Sequence, residues 1–221
     1  MQKNSYRAFT LVEMLVVIAI IAVLAALLFP AIAGMQERGK STQDLSNLRQ
    51  IGLGTQMYLN DNDNSFFPAT KIWMTELNPK YIGAWKVFQS PFDRRATSEI
   101  AASAPVSYGL NGNAIGVLAD KIINPSGFIA YAPAQTGAAS ATFLGLGTTA
   151  VPGVTVTKDA DNVGGPALGG THSKRKRINA VFGDWHVETL VWTTFKSDTY
   201  SAADPGAPQR WMPAPTPAPT P

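Results

Sequence analysis

The chain has 221 residues, 15% of them charged, a formal net charge of +3 and no cysteine. Soluble domains carry about 25% charged residues, so charge is sparse here, and so small a surplus does not suit a chain built to coat nucleic acid. The lack of cysteine excludes disulfides, thiol catalysis and Cys-ligated zinc.

Met1–Ala8 is polar and holds Lys3 and Arg7; from Phe9 to Ala33 the chain is apolar except for Thr10 and Glu13. Met14–Ala33 is a twenty-residue stretch without a charge. As a helix rising about 1.5 Å per residue it reaches roughly 30 Å, the thickness of a bilayer's hydrocarbon core. Basic residues before the stretch and none inside it predict a single pass with a cytoplasmic N-terminus. A cleaved secretory signal would use a shorter apolar region, roughly 7–15 residues. Glu13 sits near the start of the run, where an ionised carboxylate costs free energy. A plain anchor has no use for it, whereas in a filament it could pair with the α-amino group of a neighbour's Phe9. Pro30 removes a backbone hydrogen bond and crowds the preceding turn, so it predicts a kink or local melting.

The segment Arg7-Ala8-Phe9-Thr10-Leu11-Val12-Glu13-Met14-Leu15 resembles the prepilin processing and methylation motif of type IV pilins and type II secretion pseudopilins. The resemblance implies cleavage by a prepilin peptidase between Ala8 and Phe9, N-methylation of Phe9, and Glu13 as the assembly carboxylate. Ala8 stands where the family usually has Gly, and Pro30 matches a proline common in these helices.

The helical pattern continues past Gly34, with Leu45, Leu48, Ile51, Tyr58 and Leu59 at three- and four-residue steps. They predict one apolar stripe on a helix leaving the bilayer. Gly52 and Gly54 weaken that helix, and Asn60-Asp61-Asn62-Asp63-Asn64 ends it. Beyond it, Ser107–Leu110, Gly127–Tyr131, Ala141–Leu146 and Val154–Thr157 read as short strands. Ile178–Phe182 and His186–Trp192 flank Gly183-Asp184-Trp185 as a hairpin. The fold class expected is α+β and pilin-like: a long N-terminal helix packed on a small antiparallel sheet. The expected organisation is a leader (1–8), a transmembrane or filament-core helix (9–33), an amphipathic helix (34–60), a head (61–202) and a Pro-rich mobile tail (203–221).

The head also resembles a branch of pilin-like proteins. Asn47-Leu48-Arg49-Gln50-Ile51-Gly52-Leu53, Phe67-Pro68-Ala69 and Ser107-Tyr108-Gly109-Leu110-Asn111 follow that branch. His172 followed by Phe182-Gly183-Asp184-Trp185-His186-Val187 is similar to its C-terminal signature, a His, about nine residues, then Asp-Gly-His-Val. The gap is longer here, and Trp185 stands where Gly is usual, which puts the usual turn geometry in question. Ser90-Pro91-Phe92-Asp93 resembles a Cys-Pro-Ser-Asp segment with the Cys replaced.

His172, Asp184 and His186 could ligate zinc or copper if they converge; alternatively Asp184 caps a turn and both histidines make structural hydrogen bonds. Asp159 and Asp161, with Asn162, could offer oxygen to calcium, as could Asp61 and Asp63, although Asx-rich turns need no ion. Lys174-Arg175-Lys176-Arg177 fits a solvated loop better than a nucleic-acid contact. The expected function is structural and non-enzymatic, without a required cofactor. The subunit waits in the inner membrane and is then assembled with copies of itself and other pilins by the pilus or secretion machinery, in the periplasm or at the cell surface. The alternative is a membrane-anchored periplasmic binding protein or enzyme using His172, Asp184 and His186.

Overall fold

The computed structural model describes residues 11–93, 106–136, 142–143, 154–155, 168–173, 176–191 and 213. Helix α1 spans Leu11–Asp61 and runs unbroken through Pro30. Contacts divide the chain into two units, Met1–Gly39 and Lys40–Pro221.

Among the described residues of the first unit, α1 is the one element. Every large apolar side chain from Leu11 to Phe29 is exposed. No part of its most apolar stretch is buried, and α1 is long and apolar enough to cross a membrane.

In the second unit the helix turns one face inward. Asp44, Asn47, Leu48, Ile51, Gly52, Gly54, Thr55, Tyr58 and Leu59 are buried, at the three- and four-residue steps that place side chains on one helical face. Of the predicted stripe, only Leu45 remains partly exposed. The helix ends where Asp63 and Asn64 take positive φ, 50° and 58°. Asn64 N–H returns to Leu59 O at 2.9 Å. Left-handed Asp or Asn residues terminate helices in this way because their short polar side chains tolerate that conformation.

A short helix α2 (Trp73–Leu77) and a 3-10 turn (Trp85–Phe88) follow, neither foreseen from the sequence. The strands are β1 (Val106–Asn111), β2 (Ile129–Thr136), β3 (Thr142–Phe143), β4 (Val154–Thr155), β5 (Leu168–Gly169), β6 (Arg177–Phe182) and β7 (Val187–Val191). The main sheet has the order β3-β1-β2-β6-β7, and β4 pairs with β5 apart from it. All its pairings are antiparallel except β1 with β3. The α+β expectation therefore holds, with β5 an addition.

The sheet's two faces follow the period-two alternation of strands. On β6, Val181 joins the core that contains Leu48, Ile51, Tyr108 and Tyr131. Ile178, Ala180 and Phe182 face the other side with Ile129 and Ala132. Asn179 has the parity of Val181, so its polar side chain points toward α1 and needs a partner there.

The predicted β6–β7 hairpin is present, with Val181 opposite Val187. Trp185 occupies the left-handed region at φ 69°. The turn thus keeps a conformation that favours Gly, although a large residue stands there. Pro213 C=O accepts a hydrogen bond from Ile123 N–H at 2.9 Å; the rest of the expected tail, 203–212 and 214–221, lies outside the described residues.

Candidate functional site

The first candidate site is the start of the chain. Ala8 and Phe9 lie outside the described residues. Glu13 is placed in the first turn of α1 and is exposed. The flanking surface is extreme: Leu11 is 79% exposed and Leu27 74%, against 0% for Leu48 and Ile51 in the head. Contiguous apolar area on this scale does not persist in water; it marks a membrane or partner surface.

The second candidate, the histidine region of the head, does not converge. His172 is buried at an isolated bridge to Arg177, stacked on Phe92 with ring centroids 4.9 Å apart. Its Nδ1 lies 3.0 Å from Thr171 Oγ1. Asp184 and His186 stand at the hairpin tip, partly exposed. Asp184 Oδ1 accepts from His186 N–H at 3.2 Å and also contacts His186 Nδ1. The imidazole of His186 stacks on Phe182 at 4.3 Å. This is a capped turn with a supported ring. Among the described residues no three His, Asp or Glu side chains gather to hold a metal.

Asp159 and Asp161 lie outside the described residues. Asp61 is engaged otherwise: its Oδ2 accepts from Lys80 Nζ at 2.8 Å and from Tyr81 OH at 2.9 Å. Those two bonds, Lys80 first, hold its carboxyl below the usual value. Lys176 and Arg177 are exposed, Arg177 as the first residue of β6 rather than in a loop, while Lys174 and Arg175 lie outside the described residues.

A third site was missed from the sequence. Asp44 on α1 is completely buried. It accepts hydrogen bonds from Ser90 Oγ, from Tyr108 OH at 2.6 Å and from Asn179 Nδ2 at 2.7 Å. Asn179 Oδ1 in turn accepts from Thr189 Oγ1 at 2.7 Å. Nearby, Asn47 Nδ2 donates to Gln89 O at 2.9 Å. The one sequence signal for this network was a polar residue, Asp44, at a position that continues the apolar stripe.

Comparison with known proteins bears on the first site. Residues 3–29 match the family model described as the prokaryotic N-terminal methylation motif. The start of the chain matches an N-terminal methylation motif. It is also 31% identical over 83 residues to type II secretion system core protein G of Pseudomonas aeruginosa, covering 38% of this chain and 57% of that protein. It is 34% identical over 71 residues to the protein of the same name from Klebsiella michiganensis, covering 32% and 49%. The chain thus spans about half the length of the curated relatives it matches. No solved structure matches it. The matched motif and the exposed apolar stretch of α1 overlap over residues 11–29.

Proposed function

We propose that the chain is a structural, non-enzymatic subunit of a type IV pilus or a type II secretion pseudopilus. Before assembly it sits in the inner membrane as a single-pass protein with a cytoplasmic N-terminus. A prepilin peptidase cuts between Ala8 and Phe9 and methylates Phe9. The apolar helices then pack together as the core of a helical filament, with Glu13 pairing with the new amino group of a neighbour, and the heads form the outer surface. Its partners are copies of itself, other pilins and the pilus or secretion machinery.

One observation carries this reading. A methylation motif over residues 3–29 opens onto a helix whose large apolar side chains are all exposed up to Phe29. Burying each of them is worth roughly 1.5–3 kcal/mol, a driving force that a bilayer supplies first and neighbouring subunits supply next. The reading as a binding protein or enzyme lacks a comparable observation, since His172 lies buried at its bridge while His186 is held by Asp184 at the hairpin tip. Glu13→Ala tests the proposal. Membrane insertion and processing should persist while the sheared filament fraction falls strongly. Filament at wild-type level in that variant refutes the role given to Glu13.

A further inference from the structure

The head exposes two apolar patches whose edges carry opposite charge. The first is a groove of about 440 Å³ between α1 and the loop 81–87, with Leu53 and Met57 on one wall and Ile82, Gly83, Ala84 and Val87 on the other. Two glycines shape it. At Gly54 a β-carbon would stand 2.8 Å from Ile82 Cγ1, so helix and loop close together on that residue. Leu53 and Met57, one turn apart on α1, stand outside this closure and remain 46% and 53% exposed. Gly83 has open space at its Cβ position, so with Ala84 it leaves the far wall low. Arg49 precedes Leu53 by one turn and Lys86 adjoins Val87; both are exposed, and the rim is basic. Among the described residues no acid lines the groove. At its Tyr81 end, Asp61 is offset by Lys80, 2.8 Å away.

The second patch is the loop that carries Leu118 and Ile123, 44% and 66% exposed, on either side of the 3-10 turn Ala119–Lys121. It is tied to the end of α1. Ala119 N–H donates to Asn64 O at 2.8 Å, and Asn64 Nδ2 donates to Asp120 Oδ1 at 2.6 Å. Asp63 and Asp120, both exposed, therefore lie beside the two apolar side chains, and Lys121 in the same turn offsets one of their charges. The result is an apolar knob with an acidic edge.

We propose that the groove is the socket for the Leu118–Ile123 loop of a second copy of this chain. Apolar surface meets apolar surface at the centre and opposite charges meet at the rim, the arrangement of specific protein interfaces. The contact is heterologous, because socket and knob are different surfaces of one chain. Repeated from copy to copy without closing, such a contact generates an open helical polymer. The inference rests on the filament-subunit reading and adds to it the contact by which neighbouring heads adhere.

The chain has no cysteine, so two introduced ones report the contact by disulfide cross-linking. Full-length Met57→Cys and Ile123→Cys chains are produced separately and together, then oxidised in membranes and in the sheared filament fraction. A disulfide-linked dimer should form when the two are produced together and be lost when either is produced alone. Filament without that dimer overturns the contact and leaves the filament reading standing. Processed protein that yields no filament refutes the filament reading, and the contact with it. A dimer of Met57→Cys chains alone, or their cross-link to a different protein, gives the groove another occupant and overturns the inference. Charge reversal supplies a second readout. Arg49→Glu with Lys86→Glu should lower filament yield roughly tenfold, because like charges then face each other. Adding Asp120→Lys to that chain should restore much of the yield. An unchanged yield in the first variant, or no recovery in the second, overturns the contact.

Discussion

The indole of Trp185 lies on Gly52: a β-carbon at position 52 would stand 3.5 Å from Trp185 Cε3 and 3.3 Å from Val181 Cγ1. The hairpin thus reaches α1 where no side chain intervenes. Gly52→Leu should force both neighbours away and cost about 1–3 kcal/mol. Gly52→Ala should be close to neutral, because Ala favours a helix over Gly by roughly 0.5–1 kcal/mol while Val181 yields slightly. Thermal melts of the two variants against wild type check the pair; a Leu variant as stable as wild type would mean that the contact is not tight.

Trp185 itself carries two opposing effects. Its left-handed backbone costs about 1–2 kcal/mol for a residue with a β-carbon, and its ring packs on Gly52 and near Phe66, with ring centroids 6.2 Å apart. Trp185→Ala loses the ring and keeps the strain; Trp185→Gly loses the ring and relieves it. The Gly variant should therefore be more stable than the Ala variant by about 1 kcal/mol, measured by denaturant unfolding. An Ala variant as stable as the Gly variant would contradict the strained turn.

Thr55 and Tyr131 form a buried pair, with Oγ1 and OH 2.7 Å apart, while Thr55 also donates to Ile51 O at 2.8 Å. Burial raises the Tyr131 phenol far above its usual value. Thr55→Val should cost about 1–3 kcal/mol by leaving that hydroxyl unpaired. Adding Tyr131→Phe should recover part of the loss, since no polar atom is then stranded. A double-mutant cycle measures the coupling, and strictly additive losses would show that the bond carries none.

The parts of the fold legible in the sequence are those written in local periodicity. The α1 stripe at Leu48, Ile51, Tyr58 and Leu59 and the alternation on either side of Gly183-Asp184-Trp185 each declare themselves within about ten residues. The Asp44 network could not be read this way, because its partners lie 46, 64 and 135 residues along the chain. Gly52 and Gly54 read as flaws in a helix, yet they are the places where Trp185 and Ile82 approach it. The two-residue strand Leu168–Gly169 is too short to show alternation. His172 and His186, grouped by residue type, have separate partners: Phe92 and Thr171 for one, Phe182 and Asp184 for the other.

Leader removal should depend on the size of the side chain before the cut. Ala8→Gly should be processed like wild type, whereas a bulky or charged residue at position 8 should block cleavage and leave a heavier band on a gel. Normal processing of an Ala8→Glu variant would contradict the assigned cut.

The central claim concerns the amino terminus, and mass spectrometry of the protein purified from membranes tests it most directly. The expected mass is that of a chain beginning at Phe9 and carrying one added methyl group. A chain that retains Met1–Ala8, or one cut beyond the apolar segment near Ala31 or Ala33, would contradict the filament-subunit reading.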